Sequence, residues 1–329
     1  MVKFLIIRFS SIGDIVLTTP VIRCLKNQVD GAVIHYLTKE QYSGILMPNP
    51  HIDRLWLYKN NMRELILQLQ NEKFDYIIDL HHNIRTQRIK NKLRTISFSF
   101  NKLNYLKWLL VNLKINKLPD IHIVDRYLNT LKVFDVKNDN KGLDYFIQKE
   151  KSDTIHPVLS EIPQKYIALV IGAQHETKKA TSGKLAEICD KLNFPVVIIG
   201  GKDDCKLADA ILSQINKNHN IWNTSGKLSL NQSALLVKNS LLVITHDTGL
   251  MHIAAAFKKK IISIWGNTIP EFGMYPYLPD PDSKIFEIKG LKCRPCSKIG
   301  YQSCPKTHFK CMKDQNSDEI AFWAKKHID

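Results

Sequence analysis

Residues 2–20 read VKFLIIRFSSIGDIVLTTP. The opening apolar run is continuous rather than alternating, which suits a strand covered on both faces of a parallel sheet. It stops at Ser10, Ser11 and Gly13, small residues that let a backbone approach a ligand closely. Proline is favoured at the first helical position, so Thr19-Pro20 marks the start of a helix. The stretch therefore predicts a strand, a ligand-facing turn and a crossover helix.

The same unit recurs along the chain. AVIHYLT (32–38), RLWLY (54–58), YIIDLH (76–81) and TISFSF (95–100) read as further strands, with helical stretches such as MRELILQLQNEKF (62–74) between them. KYIALVIGA (165–173), FPVVIIGG (194–201), NIWNT (220–224), SLLVITHD (240–247) and KIISIWGN (260–267) repeat the theme. The polar, proline-containing segment at 148–164 separates the two series and places a boundary near 155–163. The expectation is an α/β fold with domains at 1–158 and 159–329, the second closed by a helix over SDEIAFWAKKH (317–327). In such sheets ligands sit at the carboxyl ends of the strands.

The 329 residues are 44% hydrophobic, enough for two cores. A net charge of +16 implies a phosphate-rich partner: nucleic acid, an anionic membrane or an acidic glycolipid. The seven cysteines are odd in number and scattered, which speaks against a disulfide framework and for a reducing compartment. No apolar run reaches the roughly 18 residues of a membrane span, and residues 2–9 are too short for a signal peptide. A cytoplasmic protein is expected.

Asp14 stands where a carboxylate can take the proton of an acceptor hydroxyl, or cap the following helix. Gly13 is alone, so the turn is neither a dinucleotide fingerprint nor a phosphate-binding loop. The second turn, THDTGLMHIAAAF (245–257), joins a strand at 241–245 to a helix at 249–257. The amides of Thr248, Gly249 and Leu250 at that helix start suit a diphosphate. Asp247 can bond sugar hydroxyls or cap the helix, and His252 can face either ligand or core. Gly172 and Ala173 end a strand and leave room for a ligand; Lys178, or Lys179 beside it, reaches the phosphates and stabilises a leaving nucleotide. Asp203 or Asp204 is placed to bind ribose hydroxyls, or serves as a helix N-terminal charge.

These motifs, with SGKLSL (225–230) and IWGNTIPEFGMYPY (264–277), occur in the order seen in glycosyltransferase family 9, the heptosyltransferases, and the chain resembles that family over nearly its whole length. The resemblance implies GT-B architecture, two Rossmann-like domains facing across a cleft. It also implies an ADP-heptose donor, inverting transfer to the lipopolysaccharide inner core, and chemistry without metal or other cofactor. By resemblance Asp14 is the base, Lys178 the phosphate lysine, and residues 247–250 the donor loop. Asp203 is the ribose contact and Leu228 the apolar contact to adenine.

Arg85, Arg88, Lys90, Lys92 and Arg94 follow YIIDLH, and residues 101–117 interleave lysines with Tyr105, Trp108 and leucines. This segment suits docking at an anionic membrane surface and holding the acceptor, with a peripheral position at the inner face of the inner membrane; its alternative is a core-facing helix with a solvated basic face. Ser10, Ser11, Gly13, Arg85 and Arg88 are the expected acceptor contacts. Cys293, Cys296, Cys304 and Cys311 could furnish thiolates for zinc, but the spacing of the second pair is not that of a zinc ribbon, and reduced or paired packing cysteines are expected instead. Rival readings are a transferase for another nucleotide sugar and a basic nucleic-acid-binding protein, which would show a steep salt slope and no turnover. Nucleic acid is not the expected partner, because that reading leaves the Asp247 loop without a role.

Overall fold

The structure, a computed structural model, describes residues 1–148, 156–216 and 220–328. Residues 149–155, where the expected boundary begins, lie outside the described residues. The chain divides into two compact units. The first comprises Met1–Leu103 and Ile121–Gln148; the second takes Asn104–Asp120 together with the C-terminal half.

The first unit is built on a parallel sheet of β1 (Val2–Ile7), β2 (Ala32–Lys39), β3 (Arg54–Tyr58), β4 (Tyr76–Asp79) and β5 (Ile96–Ser99), in the order β3-β2-β1-β4-β5. β1 lies at the centre, with Phe4 through Ile7 fully buried. Burying each such side chain contributes roughly 1.5–3 kcal/mol, which explains why the run is apolar on both faces. Leu5, Ile7, Leu37, Trp56 and Ile77 meet Leu65, Ile66 and Leu69 of the helix Met62–Asn71 in one core. The helix Thr19–Gln28 starts as the Thr19-Pro20 pair predicts. A second, shorter helix, Ile12–Val16, precedes it, so the segment read as a turn is partly helical.

The second unit repeats the plan with β6 (Ile167–Val170), β7 (Val196–Ile199), β8 (Ile221–Asn223), β9 (Leu242–His246), β10 (Lys260–Trp265) and β11 (Lys284–Glu287). All pairings are parallel and the order is β11-β10-β9-β6-β7-β8. β11 is the strand that the sequence reading missed. It is a short edge strand with Lys284 and Glu287 at its ends, and carries little of the apolar signal. The final helix, Ser317–Lys326, buries Ile320, Ala321 and Ala324 in the same core as Leu185 and Cys189.

Each sheet therefore reverses its winding once, between β1 and β4 in the first and between β6 and β9 in the second. The crevice at the carboxyl ends of those strand pairs is where a Rossmann-like sheet binds its ligand. The helix Asn104–Leu113 groups with the second unit although its sequence lies within the expected first domain. Leu110 packs with Ile269 and Phe272, and Lys114 Nζ donates to the carbonyls of Cys293 at 3.3 Å and Pro295 at 2.7 Å. Among the described residues no helix is long and apolar enough to cross a membrane.

Candidate functional site

At the reversal of the second sheet, Gly172 leaves β6 and His246 ends β9. A Cβ on Gly172 would lie 2.3 Å from Asp204 Oδ2, so the glycine makes room for that carboxylate. Asp204 is buried, accepts from the Gly201 amide at 2.9 Å and pairs with Lys179 at 2.9 Å. Lys179 also reaches Glu176 at 2.8 Å; burial lowers its pKa, but the bonds to Glu176 and Asp204 outweigh burial and leave it raised. Lys179 and Asp204 are thus committed to each other. Their neighbours differ: Asp203 is exposed and Lys178 is half-buried.

Lys178 Nζ meets Asp247 Oδ2 at 2.5 Å, and the Thr268 hydroxyl donates to the same oxygen at 2.9 Å. The loop that carries Lys178 is pinned by His246, whose Nε2 accepts from the Ala180 amide at 3.0 Å. Burial, reinforced by the Lys179 charge, lowers the His246 pKa to about 4, and the acceptor role requires that neutral ring. His175, half-buried near Lys178, is likewise lowered, first by burial and then by the Lys178 charge.

Thr248, in extended conformation, caps the helix Gly249–Ala256. The first amides of a helix have no partner within it, so those of Gly249 and Leu250 are available beside Lys178 and Asp247. His252 is 2% exposed, one turn into a helix whose other flanking residues are core. Ala173 and Leu228 are both half-buried at strand exits, Leu228 just after Gly226, whose φ of +71° and close approach to Cys205 admit only glycine.

In the first unit, Asp14 lies in the first turn of Ile12–Val16. Its Oδ2 accepts from the Ser11 amide at 3.2 Å and the Ser11 hydroxyl at 2.8 Å; its Oδ1 pairs with Arg8 at 2.6 Å. Asp14 therefore takes part in the helix cap and pairs with Arg8 at once. An ion pair needs an ionised carboxylate, the form that a base must have. Arg8 is buried and gripped from further sides, by the carbonyls of Ser10 and Leu80 at 2.6 Å each and by the Tyr127 hydroxyl at 3.0 Å. Burial disfavours the guanidinium charge, yet Asp14 and the other partners raise its pKa. His81, which follows β4, is lowered to about 4, by burial and then by Arg8.

Arg85 and Arg88 are exposed on the helix Ile84–Leu93, which leaves the carboxyl end of β4. Lys90 departs from the expected basic array: it turns inward to Asp79 at 3.0 Å and Ser99 at 2.9 Å. On the helix Asn104–Leu113, Tyr105, Trp108 and Leu113 are exposed. All seven cysteines are free, and among the described residues no group of three or more His, Cys, Asp or Glu is placed to hold a metal ion. Burial and the neighbouring Cys293 push Cys296 up to about 11, and burial pushes Cys311 to about 12, so both are thiols at neutral pH.

The residues that sequence reasoning missed are Thr268, His175 and the Arg8 clamp. Thr268 carries a signal that could have found it, since it is a polar residue at the exit of the strand beside β9.

Two Rossmann-like sheets, the second with a lysine, a carboxylate and a helix N-terminus gathered at its reversal, define a protein of the GT-B class. The chain belongs to glycosyltransferase family 9 (heptosyltransferase), whose model matches residues 62–302. It is 27% identical over 292 residues to lipopolysaccharide heptosyltransferase 1 of Campylobacter coli, covering 81% of this chain and 84% of that protein. The fold is shared with a family 9 glycosyltransferase of Veillonella parvula, with TM-score 0.79, 20% identity and coverage of 99% and 97%. It is shared also with the ADP-heptose lipopolysaccharide heptosyltransferase II of Escherichia coli, with TM-score 0.72, 17% identity and coverage of 99% and 98%.

Proposed function

We propose that this glycosyltransferase moves heptose from ADP-heptose to the inner core of lipopolysaccharide with inversion at the sugar carbon. The observation that carries the reading is the Lys178–Asp247 pair beside the Thr248–Leu250 helix start, at the reversal of the second sheet. There the amides and Lys178 take the diphosphate, and Asp247 faces the sugar hydroxyls. Asp203 bonds the ribose, Leu228 packs on adenine, and Gly172, Ala173 and His252 shape the pocket.

On the first unit, Ser10, Ser11, Gly13, Arg85 and Arg88 take the anionic acceptor. Asp14 removes the proton from its hydroxyl as that oxygen bonds to the sugar carbon and the bond from carbon to the diphosphate breaks. Lys178 and the helix amides stabilise the departing ADP. The chemistry asks for no metal or cofactor. The exposed Tyr105, Trp108 and Leu113, set among lysines, suit transient docking at the cytoplasmic face of the inner membrane.

The test is ADP release by purified protein given ADP-heptose and deacylated core acceptor. Release that depends on the acceptor supports the reading. Absence of release across inner-core acceptors, with ADP-heptose bound, contradicts the acceptor assignment; absence of donor binding contradicts the whole.

A further inference from the structure

The stretch IWGNTIP at 264–270 leaves β10, the neighbour of β9, and the roles assigned above do not use it. Thr268 is 2% exposed, and its hydroxyl donates to Asp247 Oδ2, the oxygen that also receives Lys178. Its backbone is fixed from a distance in sequence. Arg294, its side chain 5% exposed, donates to the carbonyls of Gly266 at 2.5 Å and Thr268 at 2.9 Å, and Glu287 orients the guanidinium at 2.9 Å. The turn is equally close to the Lys178 loop. A Cβ on Gly266 would lie 2.7 Å from the Thr177 carbonyl, and the Thr177 amide and hydroxyl both donate to the Tyr301 carbonyl at 3.1 Å.

We propose that Thr268 is a positioning residue of the donor site, which holds the Asp247 carboxylate in place while Lys178 leaves it for the incoming diphosphate. The inference rests on the reading of Lys178 as the diphosphate ligand. Before the donor arrives, Asp247 has two donors on one oxygen. When Lys178 turns to the phosphates, a mostly buried carboxylate beside a new anion would lose the one cation paired with it among the described residues, and an unsatisfied buried charge is costly. The Thr268 hydroxyl keeps that oxygen bonded and aimed, which lowers the cost of releasing the lysine. A rigid support suits this task, and the planar Arg294 fork grips two carbonyls of the turn at once.

The test compares ADP and adenosine binding, by calorimetry, for wild type, Thr268→Val and Thr268→Ser. Valine keeps the shape and removes the hydroxyl, so ADP affinity should fall about tenfold while adenosine affinity stays as it was. Serine should restore ADP binding to within about twofold of wild type. An unchanged ADP affinity in Thr268→Val overturns the proposal, as does an equal loss for ADP and adenosine or a failure of serine to restore binding. A wild-type protein that binds adenosine no more weakly than ADP instead overturns the diphosphate reading beneath it.

Discussion

Both sheets set an ion pair at their point of reversal, yet the two pairs are built in opposite senses. In the first unit the cation is the fixture. Arg8 is spent on Ser10, Leu80 and Tyr127 as well as Asp14, and its side chain is 10% exposed against 20% for the carboxylate. In the second unit the carboxylate is the fixture. Asp247 is held by Thr268, and Lys178 Nζ has Asp247 as its one partner among the described residues, with side chains 11% and 17% exposed respectively. The residue types follow the roles, since a planar guanidinium locks several acceptors whereas an ammonium on a flexible stem can change partners. An ionised carboxylate held by a fixed cation suits proton removal, and a lysine with a single partner among the described residues suits a leaving diphosphate.

The contrast can be broken experimentally. Its largest consequence is that Asp14→Ala lowers turnover by about 10²–10⁴-fold, measured by ADP release, because a general base contributes on that scale. Next comes Arg8→Leu, which strands the carbonyls of Ser10 and Leu80 and takes the guanidinium from Asp14, and should lower unfolding free energy by about 3 kcal/mol in urea titrations. Lys178→Ala should lower it by less, about 1.5 kcal/mol, since a single bond is lost and Asp247 keeps the Thr268 hydroxyl. If the two substitutions destabilise the protein equally, the fixture and the mobile partner have been misassigned.

A further consequence sharpens the comparison, because each reversal point also holds a histidine lowered to about 4, His81 in the first unit and His246 in the second. In the unfolded chain an imidazole takes up its proton near pH 6.5. Between about 6.5 and about 4 the unfolded state binds protons that the folded state refuses. Stability from these groups is therefore fully present above the upper value and declines as pH falls through the window. Urea midpoints measured from pH 7 to pH 4.5 should show the decline, and His246→Gln should flatten it.

The sequence carries this architecture unevenly. Buried parallel strands such as β1 and β9 are legible because they must be apolar on both faces, whereas β11 has charged ends and borrows its order from β10. The strand-to-helix turn at 246–250 is legible because β9 is apolar up to it and a helical pattern follows it. Two choices were not. Lys178 against Lys179, and Asp203 against Asp204, are choices between adjacent residues, and the buried pair between Lys179 and Asp204 that supports the proposed assignment is encoded in no local pattern. The helix Asn104–Leu113 likewise declares its amphipathic character in sequence but not its partners, Ile269 and Phe272. Asp14 was read as either cap or base; the geometry shows the cap bonds to Ser11 and the pair with Arg8, and the base remains the proposal.

Proton removal is assigned to the first unit and donor binding to the second, a division that can be measured. Calorimetric ADP binding by Asp14→Ala and Lys178→Ala, beside wild type, tests it most directly. Asp14→Ala should bind ADP with wild-type affinity, and Lys178→Ala should bind it at least about tenfold more weakly. Loss of ADP affinity in Asp14→Ala, or wild-type affinity in Lys178→Ala, would contradict it.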